Sequence, residues 1–156
     1  MNYQLDEIDK KILDFLVENT RMPFTEIAKQ MDVSAGTIHV RVKKMEDAGM
    51  IIGSSLSIDY SKLDFNFTAF IGILLTKSNR TQEVLKELGS IPNVIEASVI
   101  SGKYNIFCKV KAKNTEDAKR IIYQIDDIQD VMRTESMISM EEHISDKNRL
   151  IRAVTI

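Results

Sequence analysis

The sequence predicts an α+β chain in two parts, a small all-helical part followed by a larger part in which strands and helices alternate. Three observations predict it. Up to Gly53 the apolar residues recur at helical spacing. Beyond Gly53, apolar runs of strand length are separated by two amphipathic helical stretches. The length of 156 residues, with 44% hydrophobic and 28% charged residues, suits one ordinary domain or two small ones and argues against a disordered chain. The division expected is 1–53, a connecting strand or hinge over 54–62, a second domain over 63–141, and a tail over 142–156.

Composition excludes several classes. No apolar run approaches the ~18 residues needed to cross a bilayer. Met1 to Lys10 carries acids and no apolar core, so no secretory signal and no membrane partner are expected, and the cytoplasm is the default compartment. The one cysteine, Cys108, cannot form an internal disulfide or a thiolate metal site. It alternates with Ile106 and Val110, as a small core residue would. His143 is isolated near the tail. Metal-ligand spacing, a phosphate-cradling glycine loop and a serine nucleophile motif are all missing, so neither metal, cofactor nor catalytic residue is expected. The net charge of −2 excludes a broadly basic nucleic-acid coat. The first part holds seven Lys or Arg against nine Asp or Glu, so any contact with nucleic acid must come from a local patch.

The first part reads as three helices. Asp6 suits an N-cap, with Asp9 in the first turn where the helix dipole favours an acid. Ile8, Ile12, Phe15 and Leu16 make one apolar stripe. Pro23 suits the first turn of a second helix, whose buried face is Ile27, Ala28 and Met31. Asp32-Val33-Ser34 turns the chain. Ser34 caps the third helix, with Val33 and Ile38 placed as a hydrophobic staple. Ile38, Val42 and Met45 are its buried stripe, and Gly49 closes it.

Two short helices joined by a tight turn on a supporting helix make a helix-turn-helix, here Phe24 to Lys43, with Ser34 to Lys44 as the reading helix. A bundle of no DNA-binding purpose shares that periodicity. The outward face of the third helix separates the two readings. It carries Gly36, Val40, Lys43 and Asp47, flanked by Thr37, His39 and Lys44, with no acid between Ser34 and Met45. Such a face suits a major groove rimmed with phosphates. Gly36 and Thr37 allow close approach, and His39, Lys43 and the hydroxyls of Ser34 and Thr37 can donate to bases or phosphates. Arg41 lies nearer the buried stripe, where a carboxylate inside the domain and a phosphate are equally good partners.

The second part reads strand, helix, strand, strand, helix, strand. The strands are Asn66 to Thr76, Val94 to Ser101, Tyr104 to Lys111 and Val131 to Met140. One helix spans Arg80 to Leu88, capped by Asn79. The other, capped by Asn114 or Thr115, runs to about Asp126 and buries Ala118, Ile121, Ile122 and Ile125. Gly102-Lys103 makes a tight hairpin. This βαββαβ order is ferredoxin-like. In the first strand both faces are apolar: Phe67, Ala69, Ile71, Ile73 and Leu75 on one, and Thr68, Phe70, Gly72 and Leu74 on the other. Two helices cover only one face of such a sheet, so the other is expected to pack on a second copy of the chain. The tail is partly apolar through Leu150, Ile151, Val154 and Ile156, which suits docking on a neighbour.

The run Leu5-Asp6-Glu7-Ile8-Asp9-Lys10-Lys11-Ile12-Leu13 resembles the opening of the Lrp/AsnC (feast/famine) transcription regulators. So do Glu26-Ile27-Ala28, Val33 to Val42, and Glu46-Asp47-Ala48-Gly49-Met50-Ile51. Gly36 to Val42, Phe70-Ile71-Gly72-Ile73 and Gly102 to Phe107 are most similar to the asparagine-responsive branch. The resemblance implies a winged-type helix-turn-helix domain before a ferredoxin-like sensor. It implies double-stranded DNA as partner, contacted by Ser34, Gly36, Thr37, His39, Val40, Arg41, Lys43 and Lys44. It implies a homodimer assembling further, often to an octamer, and a small amino-acid effector, asparagine. The implied effector residues are Ser101, Gly102, Tyr104, Asn105, Asp126 and Thr134. Where many members carry an acid able to pair with an effector's ammonium group, this chain has Asn105, which offers a neutral oxygen. Two relatives of that family remain as rivals: a leucine-responsive global regulator, and a haem-pathway decarboxylase, which would want more histidine than His39 and His143.

Overall fold

The computed structural model describes residues 3–146 and 148–155. The chain forms two compact units, one of residues 1–57 with 144–156 and one of residues 58–143.

The first unit is built on three helices, α1 (Glu7–Glu18), α2 (Phe24–Met31) and α3 (Ala35–Asp47). Asp6 caps α1 by accepting from the amides of Ile8 and Asp9, both at 2.9 Å. Asp9 returns the bond to the Asp6 amide, so two of the orphan amides at this helix start are satisfied reciprocally. Pro23 sits one position earlier than expected, as the residue before α2 rather than inside it. Its ring fixes φ at −61°, which leads into the helix, and Asp32 leaves α2 in the left-handed conformation. Ser34 caps α3 by accepting from the Thr37 amide. At the other end Gly49 takes φ +71°. Its amide then reaches the Glu46 carbonyl, and the Met50 amide reaches that of Met45. The three helices bury Ile12, Leu13, Ile27, Ala28, Ile38, Val42 and Met45 together. Each large side chain among them contributes roughly 1.5–3 kcal/mol.

After α3, residues 52–59 are neither helix nor strand, and a 3₁₀ turn follows at Tyr60–Leu63. A strand requires partners for its amides and carbonyls. No described strand pairs with residues 52–58, and Ile52 and Leu56 are exposed.

The second unit runs β1 (Phe67–Leu75), α4 (Thr81–Leu88), β2 (Val94–Val99), β3 (Ile106–Ala112), α5 (Thr115–Asp126) and β4 (Val131–Ile138). The sheet order is β2-β3-β1-β4 with every neighbour antiparallel, the ferredoxin-like arrangement. Asn114 caps α5 through the Asp117 amide. α4 starts differently: Asn79 does not cap it but lies in a single 3₁₀ turn over Ser78–Arg80. The Thr81 hydroxyl ties that turn by donating to the Ser78 carbonyl. The β2–β3 hairpin is also longer than the two residues expected. The connection covers residues 100–105; at its base the Ile100 amide donates to the Asn105 carbonyl, and the Asn105 amide donates to the Ile73 carbonyl of neighbouring β1.

The helix-facing core joins Ala69, Ile71 and Ile73 of β1 to Ile106, Cys108 and Val110 of β3, under Val84, Leu88, Ile121 and Ile125. Burial pushes the Cys108 thiol up to about 11, the behaviour of a core residue and not of a nucleophile. The opposite face is more polar than β1 alone predicts. Register places Phe107 and Glu135 beside Gly72, and Lys109 and Met137 beside Phe70. Phe70 and Phe107 stack at 5.9 Å, and the Lys109 ammonium lies 5.6 Å above the Phe70 ring. Glu142 pairs with Lys109 and Lys111. Lysine stems and β3 aromatics therefore cover part of this face within one chain.

Candidate nucleic-acid interface and effector loop

α3 presents Gly36, His39, Val40, Lys43 and Lys44 to solvent, with exposed Ser34 at its start and Thr37 half-buried beside it. The Ser34 and Thr37 hydroxyls lie 2.8 Å apart, so one proton sits between them and the other is free to point outward. His39 leans on Phe24 of α2, ring centres 6.0 Å apart, which limits its swing. Lys43 pairs with Asp47 one turn on, at 2.7 Å, and that carboxylate holds its ammonium above the usual lysine range. Both groups are more than half exposed, so the pair is weak and Asp47 is readily exchanged for a phosphate. An open groove of about 620 Å³ runs along this helix, lined by Tyr3, Gln4, Ser34, Thr37, Val40 and Lys44 among others.

Arg41 is placed otherwise than a free phosphate ligand. Its Nη1 donates to Asp6 at 2.6 Å and to Asp9 at 2.9 Å. Asp9 is 1% exposed and also accepts from the Tyr3 hydroxyl at 3.1 Å. In this structure Arg41 is paired with internal carboxylates. Tyr3, Asp6 and Asp9 are thus residues that sequence reasoning missed in this role. One signal was available: Asp9 falls three and four positions before the buried Ile12 and Leu13, on the buried side of α1.

The Asp6 carboxyl is held below the ordinary aspartate range, first by the Asp9 amide and then by Arg41. A carboxyl lowered in the folded state stabilises above its unfolded value and loses that contribution as pH falls through the folded one. The first unit should therefore loosen in acid below the ordinary aspartate range. Circular-dichroism melts of wild type and Asp6→Asn across pH 2.5–7 test this: the two curves should converge at the acid end and separate near neutrality.

In the second unit the six expected effector residues are divided between the two faces of the sheet. Gly102 takes φ +116°, which favours glycine, and Ser101 beside it is exposed. Tyr104 turns to the outer face, where its ring covers Gly72 and its hydroxyl donates to Glu135 at 2.5 Å. Glu135 also receives Lys103 at 2.6 Å and Arg133 at 3.3 Å, and Lys103 foremost holds its carboxyl low. Asn105 and Thr134 flank Ile73 of β1 from either side. The Asn105 oxygen accepts from the Leu75 amide at 2.9 Å, and its nitrogen approaches the Ser78 hydroxyl at 3.4 Å. The Thr134 hydroxyl, next to Glu135 but on the other face, donates to Asp126 at 2.7 Å. Gly72, Lys103 and Glu135 were not singled out for this site. A glycine inside a strand signals close approach of another group, and Gly72 was readable in that way.

Comparison with known proteins follows the same division. Residues 5–46 match the AsnC-type helix-turn-helix domain, and residues 68–149 match the Lrp/AsnC ligand binding domain. The chain is 38% identical to regulatory protein AsnC of Haemophilus influenzae over 91% of its own length and 95% of that protein's. It is 37% identical to regulatory protein AsnC of Escherichia coli K12 over 92% and 95%. The solved E. coli AsnC structure superposes with a TM-score of 0.87 at 35% identity, covering 92% of this chain and 97% of that one. Among the described residues no helix is long and apolar enough to cross a membrane. With a three-helix head before a β2-β3-β1-β4 sheet, family matches in both units, and relatives at 37–38% identity over more than nine tenths of the chain, the chain belongs to the Lrp/AsnC family of transcriptional regulators.

Proposed function

We propose that this regulator reads a specific duplex sequence with α3 and answers to a free amino acid, asparagine. The observation that carries the DNA reading is the outward face of α3: exposed, free of acids from Ser34 to Met45, and narrowed at Gly36. Ser34, Gly36, Thr37, His39, Val40, Lys43 and Lys44 contact DNA in this reading. His39 and Thr37 address base edges, Val40 suits a thymine methyl, and Lys43 and Lys44 take phosphates. Arg41 fixes the helix against the α1 cap. A head with more acids than bases binds DNA weakly alone. Affinity then comes from several heads on one frame, a homodimer assembling toward an octamer in the cytoplasm.

The effector reading rests on the loop after Gly102 together with Asp126 and Thr134, and on relatives named AsnC. The Asn105 oxygen is already spent on the Leu75 amide. The carboxylate left for an effector's ammonium group is Asp126, whose Oδ1 takes the Thr134 hydroxyl. Binding changes which assembly is favoured and so how the heads are spaced, which is a coupling free energy and not a catalytic step. The test is titration of asparagine and, separately, leucine into the protein–DNA complex, followed by anisotropy and light scattering. Asparagine should shift the DNA affinity by about 5- to 150-fold. A larger response to leucine would favour the leucine-responsive rival, and no response to either would remove the effector reading.

A further inference from the structure

We infer that the C-terminal segment, residues 148–155, docks on the α1 side of the DNA-binding head and forms a second tie between head and sensor. Four observations carry this. Residues 144–156 cluster with the head and not with the sheet that precedes them. Ile151 is half-buried and packs against the three-helix core, while its neighbour Leu150 is 77% exposed. A last short helix, α6 (Arg152–Thr155), lies against α1. Charge is complementary: residues 144–156 carry three basic residues and one acid, whereas α1 carries four acids and two lysines.

Neither domain match accounts for this contact, since the helix-turn-helix match stops at residue 46 and the ligand-binding match at 149. The chain crosses between the units at 57/58 and returns at 143/144, only a few residues after β4 ends at Ile138. β4 carries Thr134 and Glu135. On the proposed effector reading, on which this consequence rests, a displacement of β4 is passed to the head through the docked tail as well as through residues 52–59. Ile151 is a positioning residue in that arrangement, acting through α1 and not touching DNA.

The experiment uses the full chain, a variant ending at Asn148, Ile151→Asp, and Leu150→Asp as the exposed control. Amide hydrogen exchange is read on peptides covering residues 8–18, with oligomeric state checked by light scattering. Ending the chain at Asn148 and Ile151→Asp should each speed exchange in α1 by about tenfold, because a docked apolar side chain no longer holds the helix. Leu150→Asp should leave it unchanged. The same two variants should weaken the effect of asparagine on DNA affinity. Unchanged α1 exchange in both, or equal loosening in Leu150→Asp, overturns the docking. The exchange measurement needs neither DNA nor amino acid, so failure of the regulator reading would show separately, as wild type that does not bind DNA or does not respond.

Discussion

Arg41→Met should unfold the head about 3 kcal/mol more easily than wild type, a large effect for a side chain on the edge of a reading helix. The Arg41 side chain is 25% exposed, but the Asp9 side chain it pairs with is only 2% exposed. Removing the guanidinium leaves the buried Asp9 side chain without its cationic partner, with the Tyr3 hydroxyl and the Asp6 amide as its remaining donors. Loss of one partner of such a pair costs more than loss of both. The double variant Arg41→Met/Asp9→Leu should therefore recover a good part of the stability, although it forfeits half of the α1 capping box. Urea unfolding of the three proteins, followed by far-ultraviolet circular dichroism, measures this. DNA binding separates the two roles open to Arg41. If it holds α3, Arg41→Met weakens binding while the slope of log K against log salt stays the same; a phosphate ligand would lower that slope by about one.

Gly72→Ala should cost about 1–3 kcal/mol and disconnect the effector loop from β4. A Cβ at this position would lie 2.6 Å from the Tyr104 ring. The ring would have to swing away, breaking the Tyr104 hydrogen bond to Glu135 and loosening the stack of Tyr104, Phe107 and Phe70. In a Tyr104→Ala background the same change meets no ring. A double-mutant cycle should then show strong coupling, with Gly72→Ala close to neutral in the second arm. Equal cost in both arms would mean that the strand itself, and not the tyrosine, rejects the methyl group.

Local signals were the legible ones. The caps at Asp6, Ser34 and Asn114 and the stop at Gly49 each depend on residues within a turn or two, and each forms as the sequence predicts. The same holds for the stripes of Ile38, Val42 and Met45 and of Ala118, Ile121 and Ile125. What escaped was set by distant partners. Asn79 looks like a cap, but Arg80 beside it is pulled to Asp130, 50 residues away, and the first turn tightens. The outer sheet face looked wholly apolar from β1, because Lys109 and Glu135 join it only through strand pairing. The partner of Arg41 lies 32 residues back, on another helix. Of the tail, Ile151 is seen on the head of its own chain, whereas Ile156 lies outside the described residues.

The most direct test of the whole account is the affinity of the purified protein for a duplex selected from a random pool, against a scrambled duplex of the same composition, over a range of salt. The account predicts a preference of about a thousandfold or more for the selected sequence, falling affinity as salt rises, and erosion of the preference by His39→Ala and of the affinity by Lys43→Glu. Equal affinity for both duplexes, or binding indifferent to salt and to both substitutions, would contradict it.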